Sequence, residues 1–429
     1  MKRNRYQVRI RARLLHYSIH ILSHLRLLVR WFLLSLVTGG IVGGVGAAFA
    51  WGMTWATWLR TQYPFLLLFL PISGLAIVGI YRTFHFEKDS GTDTVLSTLH
   101  AKTEIPARMA PLIFVSTILT HLCGGSSGRE GAALQIGGSL GNLLGRWFHL
   151  QPADKRVLVM CGMSAAFSAV FGTPLAAVFF AMEVGSVGIM YYAALVPCVT
   201  ASFCASFIAK ICRVEQEEYL VVSMPDWSLG TLAATVILGL CCAGLSVLFC
   251  ILLHETGCFL RKKIPNSYIR IVSVAIILII LGLFPNNTDY LGAGMPVLLR
   301  ALSGQVVWYA FLMKLLFTVL TMAAGFKGGE IVPSFFIGAT FGCLYGSLLH
   351  LSPSLFAALG MIAVFCGVTN CPITSLLIAF ELFGMGAMPY FLICIAVSYM
   401  LSGYYGLYHS QKIVYSKYAP KYINRNTRN

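Results

Sequence analysis

Long apolar runs dominate the chain, and short polar or glycine-rich stretches separate them. The apolar runs cover residues 31–58, 64–82, 157–212, 228–256, 268–284, 306–324, 333–350, 355–368, 371–383 and 387–404. Several of them are shorter than the roughly 20 residues that a helix needs to cross a bilayer. Short segments broken by glycine or proline are typical of transporters whose helices stop part-way through the membrane. The pattern predicts an all-α polytopic membrane protein with broken helices.

Composition supports a membrane protein and argues against a nucleic-acid partner. Only 11% of the 429 residues are charged, which is too few to cover the surface of a soluble protein of this length. The formal net charge is +16, but thirteen of the 31 Lys and Arg lie in residues 1–30 and 410–429, where there are no acids. Basic ends of this kind favour cytoplasmic termini that face anionic lipid.

The charge pattern also divides the chain. Residues 1–30 interleave Arg and His with apolar residues, which is typical of an interfacial amphipathic helix on the cytoplasmic side. Residues 213–227 form an acidic linker, which we place on the opposite side. The predicted units are therefore the N-terminal helix 1–30, a first membrane repeat 31–212, the linker 213–227, a second membrane repeat 228–408 and a short basic cytoplasmic tail 409–429. The thirteen scattered cysteines contain no CxxC pair, so we expect neither a metal nor a cofactor.

One stretch, Gly124–Gly145, carries ionisable residues inside this apolar chain. It reads GGSSGREGAALQIGGSLGNLLG, with Arg129 beside Glu130. A Gly-Ser run predicts a loop that opens into a helix N-terminus near Glu130, and such an N-terminus binds anions through its free N–H groups. The carboxylate is then a candidate to replace a bound anion and to leave when protonated. The alternative is a structural Arg129–Glu130 pair in a buried turn. A second polar interruption, Asp89–His100, fits either another inward helix N-terminus or a simple loop.

Internal repeats indicate the architecture. IGGSLGNLLG at Ile136–Gly145 matches IGATFGCLYG at Ile337–Gly346, and FGTPLAAVFFAME at Phe171–Glu183 matches TNCPITSLLIAFE at Thr369–Glu381. The two motifs recur in the same order at nearly the same spacing. With the linker outside and both termini inside, the halves are inverted relative to each other. Inverted repeats place their site where the halves meet.

The second copy of the glycine stretch is GFKGGEIVPSFFIG, at Gly325–Gly338. The alignment puts Ile331 opposite Glu130 and Glu330 opposite Arg129. Each half therefore aims a helix N-terminus at a shared centre, and Pro333 stands where a first-turn proline is tolerated. The repeated glutamates at the ends of the proline helices, Glu183 and Glu381, are expected to be structural and to bond to helix ends.

GREG with its following helix, GGEIVP, the two proline-to-glutamate helices and the tyrosine-bearing tail resemble the CLC family of anion channels and anion/proton exchangers. The resemblance covers about residues 31–410 and implies a CLC-type inverted repeat, a homodimer in the plasma membrane, and Glu130 as the external gating glutamate. It also implies that Tyr408 closes the inner end of the anion path, with Tyr404 or Tyr405 as alternatives. The anion-binding residues that it implies are Thr92, Gly128, Arg129, Gly131, Gly329, Ile331, Val332 and Tyr408.

Departures from the family pattern point to its fluoride-exporting branch. Chloride-type members carry GSGIP where this chain has SGTDT, and many exchangers carry an inner glutamate where this chain has Val184. Glu330 in GGE resembles the fluoride branch, and it becomes the candidate for inner proton transfer. That branch usually reads GGEVTP, so Val332 in place of threonine is a further departure. Chloride-type members usually have proline after GREG, where this chain has Ala132. A structural Glu330 paired with Lys327 is the alternative.

We therefore expect a fluoride/proton antiporter that exports fluoride and is not an enzyme. A chloride/proton exchanger or a passive chloride channel of the same fold is the alternative. A remote alternative is an intramembrane hydrolase, because GGSSG offers Ser126 and Ser127 as nucleophiles. His121 is the only histidine close in sequence that could act as their base, and no HExxH motif is present.

Overall fold

The computed structural model describes residues 2–87, 89–100, 104–215, 228–285 and 287–427, with backbone alone for residues 2–20. The described part folds into sixteen α-helices, eight in each half of the chain. The first half contains α1 Lys2–Gln62, α2 Leu70–Thr83, α3 Thr92–His100, α4 Met109–Leu122, α5 Glu130–Trp147, α6 Pro152–Phe171, α7 Pro174–Glu183 and α8 Leu195–Ile211. The second half contains α9 Leu229–Lys263, α10 Ser267–Gly282, α11 Met295–Leu302, α12 Ala310–Ala324, α13 Ile331–Leu348, α14 Pro353–Thr369, α15 Pro372–Phe383 and α16 Met388–Leu401. Short 3₁₀ turns occupy Pro64–Phe69, Tyr192–Ala194 and Asn287–Tyr290.

Helix lengths match a multi-pass membrane protein with broken helices. Five helical stretches in the described residues are long and apolar enough to span a bilayer: Ile21–Gln62, Pro64–Thr83, Tyr192–Ile211, Leu229–Lys263 and Ile331–Leu348. Other apolar helices have 10–17 residues, among them α14 and α15. Helices this short do not reach across a bilayer alone, so the prediction of an all-α fold with interrupted helices is confirmed.

Two of the predicted boundaries, at residue 30 and around the linker 213–227, stay predictions. Residues 2–62 form one continuous α-helix, so no break separates the predicted N-terminal helix 1–30 from the first span. Whether residues 1–30 lie on the membrane surface stays a prediction. Of the acidic linker 213–227, residues 216–227 lie outside the described part of the chain.

The repeated IGG and IGA motifs bring pairs of helices into backbone contact. In the first repeat, a Cβ placed on Gly137 of α5 would lie 2.1 Å from the Gly162 carbonyl oxygen of α6. In the second repeat, a Cβ on Gly338 of α13 would lie 2.2 Å from the Gly360 carbonyl oxygen of α14. No side chain fits at either crossing, which explains why glycine recurs there. Small residues that let helix backbones approach closely are common in membrane interfaces.

The two repeats cap each other. Glu381, in α15, accepts the N–H groups of Leu175 and Ala176 at 2.8 and 2.9 Å, in the first turn of α7. Glu183, the last residue of α7, accepts the N–H groups of Ile373 and Thr374 at 3.2 and 2.9 Å, in the first turn of α15. First-turn N–H groups lack acceptors within their own helix, and a carboxylate satisfies them best. The geometry agrees with the structural role expected for both glutamates.

The C-terminal tail contains structure that was not predicted. Strand β2, Lys412–Tyr415, pairs in parallel with the short strand β1, Ser186–Val187, and antiparallel with β3, Tyr422–Asn426. The resulting three-stranded sheet joins the end of the chain to the loop that follows α7. The residues of the predicted basic tail are thus attached to the first repeat through main-chain hydrogen bonds.

Candidate functional site

The loops that precede α5 and α13 are joined to each other by backbone hydrogen bonds between buried glycines. The Gly128 N–H donates to the Gly329 carbonyl at 2.6 Å, and the Gly329 N–H donates to the Gly128 carbonyl at 2.9 Å. A Cβ on Gly329 would lie 2.6 Å from the Gly131 nitrogen, so the close approach requires glycine. This pair of bonds places the start of one helix beside the start of the other.

Both helices begin in the register that the repeat predicted. The first bonds of the two helices run from the Ala133 N–H to the Arg129 carbonyl at 3.0 Å and from the Ser334 N–H to the Glu330 carbonyl at 3.1 Å. The N–H groups that precede them have no acceptor in their own helix, and the helix dipole adds positive charge there. Gly131, Ile331 and Val332 are buried at these two starts.

The Glu130 carboxylate lies over the start of α5. The side chain is fully buried, and its Oε2 accepts the backbone N–H of Arg129 at 3.1 Å. Its Oε1 lies 3.4 Å from Arg129 Nε. The structure therefore contains both predicted features, the carboxylate at a helix N-terminus and the pair with the neighbouring arginine.

Glu330, the residue that follows Gly329, is half-buried, and its carboxylate oxygen Oε2 is enclosed. Within the described chain its Oε2 has no hydrogen-bond partner. This oxygen lies 3.4 Å from the position that a Cβ on Gly131 would occupy. Lys327, the partner considered for a structural Glu330, instead pairs with Asp89 at 3.1 Å.

Thr92 comes from a third helix start. Asp89–His100 was open between a loop and a helix N-terminus, and the structure forms α3 with Thr92 as its first residue. Thr92 Oγ1 lies 3.6 Å from the Cβ position on Gly131, so it borders the same space as Glu330. Gln135 Nε2 donates to this hydroxyl at 3.2 Å. Sequence reasoning missed Gln135, although it lies one turn beyond GREG on the same helix.

Tyr408 is the tail tyrosine for which the resemblance implies an inner role, with Tyr404 and Tyr405 as alternatives. Its side chain is buried, and its hydroxyl has no hydrogen-bond partner in the described residues. The Tyr404 hydroxyl is 2.7 Å from Ser416 Oγ, and Tyr405 uses its carbonyl to accept from Asn370 Nδ2 at 2.9 Å. Thr427 Oγ1 donates to the Tyr408 carbonyl at 2.6 Å, so the tail fixes this residue directly.

Two further polar residues were missed in the sequence. Gln411 donates through Nε2 to the carbonyls of Val184 and Thr369 at 2.9 and 2.8 Å. It bonds to the backbone at the position where many exchangers carry the inner glutamate. Lys314 is fully buried in α12, and its Nζ donates to the carbonyls of Gly292 and Tyr290 at 2.6 and 3.2 Å. A lone lysine inside an apolar run was the available signal.

One contact in the structure is of the kind that a serine nucleophile would need. Ser127 Oγ lies 3.2 Å from His121 Nε2, which also lies 3.4 Å from the Gly128 carbonyl. No carboxylate among the described residues bonds to His121, so the third member that orients such a base is missing there. In the same part of the chain, no group of three His, Cys, Asp or Glu side chains could hold a metal ion.

Opposed half-repeats that each aim a helix N-terminus at one contact define the class of inverted-repeat membrane transport proteins. Comparison with known proteins gives the family. The family model described as voltage gated chloride channel matches residues 73–403, and the chain belongs to this family, the CLC proteins.

Individual relatives lie in two groups. The chain is 34% identical over 398 residues to a chloride/fluoride channel protein of Pseudomonas syringae pv. tomato, covering 91% of this chain and 88% of that one. It is 26% identical over 381 residues to the H(+)/Cl(-) exchange transporter ClcA of Citrobacter koseri, covering 82% and 80%.

Solved structures give the same fold. A CLC-type fluoride/proton antiporter matches with a TM-score of 0.86 at 33% identity, over 90% of this chain and 98% of that one. A slow cyanobacterial Cl⁻/H⁺ antiporter matches with a TM-score of 0.74 at 21% identity, over 87% and 94%, which bears on the fold alone.

Proposed function

We propose that this chain is a fluoride/proton antiporter that exports fluoride in exchange for protons. The observation that carries the proposal is the position of Glu130. Its buried carboxylate accepts a backbone N–H at the start of α5, where a transported anion would bind. The Gly128–Gly329 contact places this point next to the start of α13.

The coupling follows from competition for the same N–H groups. The ionised Glu130 carboxylate holds the helix start and keeps an anion out. Protonation removes its charge and weakens that hold, so the side chain leaves and an anion enters. One protonation event then moves a proton and opens the anion path together, and no separate coupling device is needed.

Glu330 is our candidate for proton transfer on the inner side. Its Oε2 is enclosed, has no hydrogen-bond partner in the part of the chain that the structure describes, and borders the space beside Gly131. Thr92, Gly128, Arg129, Gly131, Gly329, Ile331 and Val332 would bind the anion around this space. Tyr408 would close its inner end, because its hydroxyl is buried and has no hydrogen-bond partner among the described residues.

Fluoride is favoured over chloride by two features of the chain. Glu330 follows the glycine pair, and the position of the usual inner glutamate is the aliphatic Val184, whose carbonyl bonds to Gln411. The relatives at 33–34% identity are a chloride/fluoride channel protein and a fluoride/proton antiporter. The exchanger of chloride is 26% identical. A chloride/proton exchanger or a passive channel remains the second candidate.

The decisive measurement uses purified protein in liposomes loaded with fluoride or chloride. Ion-selective electrodes follow the anion, and a trapped pH dye follows the protons. We expect fluoride efflux to exceed chloride efflux by at least tenfold, with protons moving inward in a fixed ratio. Equal rates, or a preference for chloride, would overturn the fluoride assignment and leave the fold intact.

The proposal includes a setting in the cell. We place the protein in the plasma membrane as a homodimer with both termini in the cytoplasm. The basic residues near both ends support this orientation, because positive loops stay on the cytoplasmic side. Crosslinking in native membranes, and labelling of a cysteine placed in the tail, would test the dimer and the orientation.

A further inference from the structure

A cavity of about 630 Å³ opens next to Arg129, the residue that precedes Glu130. The C-terminal end of α1, the end of α4 and the start of α11 form its walls. Trp58, Leu67 and Met295 supply apolar surface, whereas Arg60, His121 and Arg129 supply polar groups. The cavity is far larger than one ion and lies next to the residue that we propose as the gate.

Arg60 is the unusual group in this cavity. Its Nη1 is enclosed, and within the described residues it has no hydrogen-bond partner. The guanidinium lies against the backbone of Gly292, since a Cβ on that glycine would be 2.3 Å from Nη1. In the same part of the chain, no carboxylate lies within 4.0 Å of the Arg60 guanidinium.

Other charges around the cavity do not neutralise Arg60. Asp289 lines the cavity but is paired with Arg300, and Glu215, which also lines it, is exposed. Glu130 is paired with Arg129. Behind Gly292, the buried Lys314 donates to the Gly292 carbonyl and has no carboxylate partner in the described chain, so it brings no negative charge to this region.

An anion satisfies this arrangement. A charged donor that is enclosed without a partner is costly, and a charge-assisted hydrogen bond to an anion offsets that cost. Apolar walls strengthen the field of the cations inside the cavity and raise the local concentration of anions. Arg60 is therefore placed to bind an anion in the cavity that Arg129, the neighbour of Glu130, also lines.

We propose that this cavity binds a monovalent inorganic anion at Arg60, as a staging site on the outer side of the Glu130 gate. Anion binding depends only on Arg60 and its surroundings. The role of the site in transport rests on the proposed exchange at Glu130. The two parts are tested separately.

Binding is measured through Trp58, which lines the cavity, with iodide as the probe. The difference in fluorescence quenching between the intact protein and Trp58→Phe reports iodide at this site. We expect Arg60→Gln to lower that difference about threefold or more, and Arg60→Lys to keep most of it. Arg300→Gln is the matched control, because it removes a nearby cation that Asp289 already neutralises. Quenching by neutral acrylamide should be the same in the unchanged protein, Arg60→Gln, Arg60→Lys and Arg300→Gln. Equal acrylamide quenching verifies that these four proteins share one fold.

Transport is measured as fluoride uptake at a series of external concentrations. We expect Arg60→Gln to raise the half-saturating external fluoride concentration about threefold to tenfold, with no such change in Arg300→Gln. Equal iodide quenching in Arg60→Gln and Arg300→Gln would overturn the site. Normal half-saturation in Arg60→Gln would overturn its role in transport. A protein that proves not to couple protons would still give the quenching result, so failure of the proposed antiport is distinguishable.

Discussion

Glu130 combines two properties that are rarely found in one side chain of a membrane protein. It is fully buried, and its acceptors face a backbone N–H rather than water. A buried carboxylate is stable there because the helix start and Arg129 supply positive charge. The same two contacts make its release depend on a proton.

Glu130→Gln tests this dependence. The amide keeps the size of the side chain but carries no charge and accepts no proton, so proton movement should vanish while anion movement slows or becomes uncoupled. Proton and fluoride fluxes measured in the same liposomes give the ratio. Arg129→Lys, which keeps the charge beside the carboxylate, should retain coupling. If Glu130→Gln still moves protons in a fixed ratio to fluoride, the gate is elsewhere.

Glu330→Gln addresses the inner side. Because Glu330 Oε2 has no partner within the described chain, exchanging it for an amide breaks no hydrogen bond at that oxygen. We expect proton coupling to fall at least tenfold while the protein stays folded and monodisperse. Glu381→Gln, which changes a carboxylate of structural role, should leave the proton-to-fluoride ratio unchanged in whatever protein folds. If Glu330→Gln couples protons to fluoride as well as the unchanged protein does, Glu330 has a structural role and does not transfer protons.

For single residues, the sequence indicated which charged residues are candidates for the site better than it indicated which residues bond to one another. Glu130 and Glu330 were found because charges are rare in apolar segments and because the repeat aligned them. Gln135 and Gln411 were missed, since an uncharged amide in a long helix or tail carries no such signal. Their partners, Thr92 and Val184, are distant in the sequence and become neighbours only in the fold.

The helix crossings show how few residues set the distance between elements. Gly137 and Gly338 meet the carbonyls of α6 and α14 so closely that not even a methyl group fits. The repeated motif had revealed that these helices correspond, but the contact itself needed the coordinates. The same holds for the capping of α7 by Glu381, because no local pattern shows which carboxylate reaches which helix start.

Gly137→Ala and Gly244→Ala form a matched pair at this scale. Both glycines lie inside long helices, but a Cβ on Gly244 has nothing within 4 Å. The added methyl group at Gly137 must push α6 away, so we expect a loss of several kcal/mol or no folded protein. At Gly244 the change should be neutral or slightly stabilising, because alanine favours the helix. Thermal unfolding in detergent, followed by size-exclusion chromatography, measures both. Equal stability of the two variants would contradict the close contact.

At the scale of the whole molecule, the C-terminal segment joins helices of the second repeat to the first repeat. Lys417, after β2, donates through Nζ to Asn370 Oδ1 at 2.5 Å, the Tyr399 carbonyl at 2.9 Å and Ser402 Oγ at 3.2 Å. It thus joins the ends of α14 and α16 to the sheet, and the sheet joins them to the loop after α7. The sequence indicated only a basic tail here, since positive charge alone does not distinguish a lysine that faces lipid from one that binds carbonyls.

Lys417→Met should lower the stability of the folded protein by about 1–3 kcal/mol, because buried acceptors lose a charged donor. Lys421→Met changes an exposed lysine of the same tail and should have little effect. The melting temperatures of the two purified variants, compared with that of the intact chain, give the result. A similar decrease in both would mean that general charge, rather than this bonding network, supports the tail.

Reciprocal capping by Glu183 and Glu381 has a consequence for synthesis of the protein on the ribosome. The Leu175 N–H, in the first turn of α7, is capped by a carboxylate that lies 206 residues further along the chain. Until Glu381 has been synthesised, the first-turn N–H groups of α7 therefore lack the carboxylate that caps them. We therefore expect each half to be less stable alone than beside the other, because each supplies the carboxylate that caps a helix of the other half.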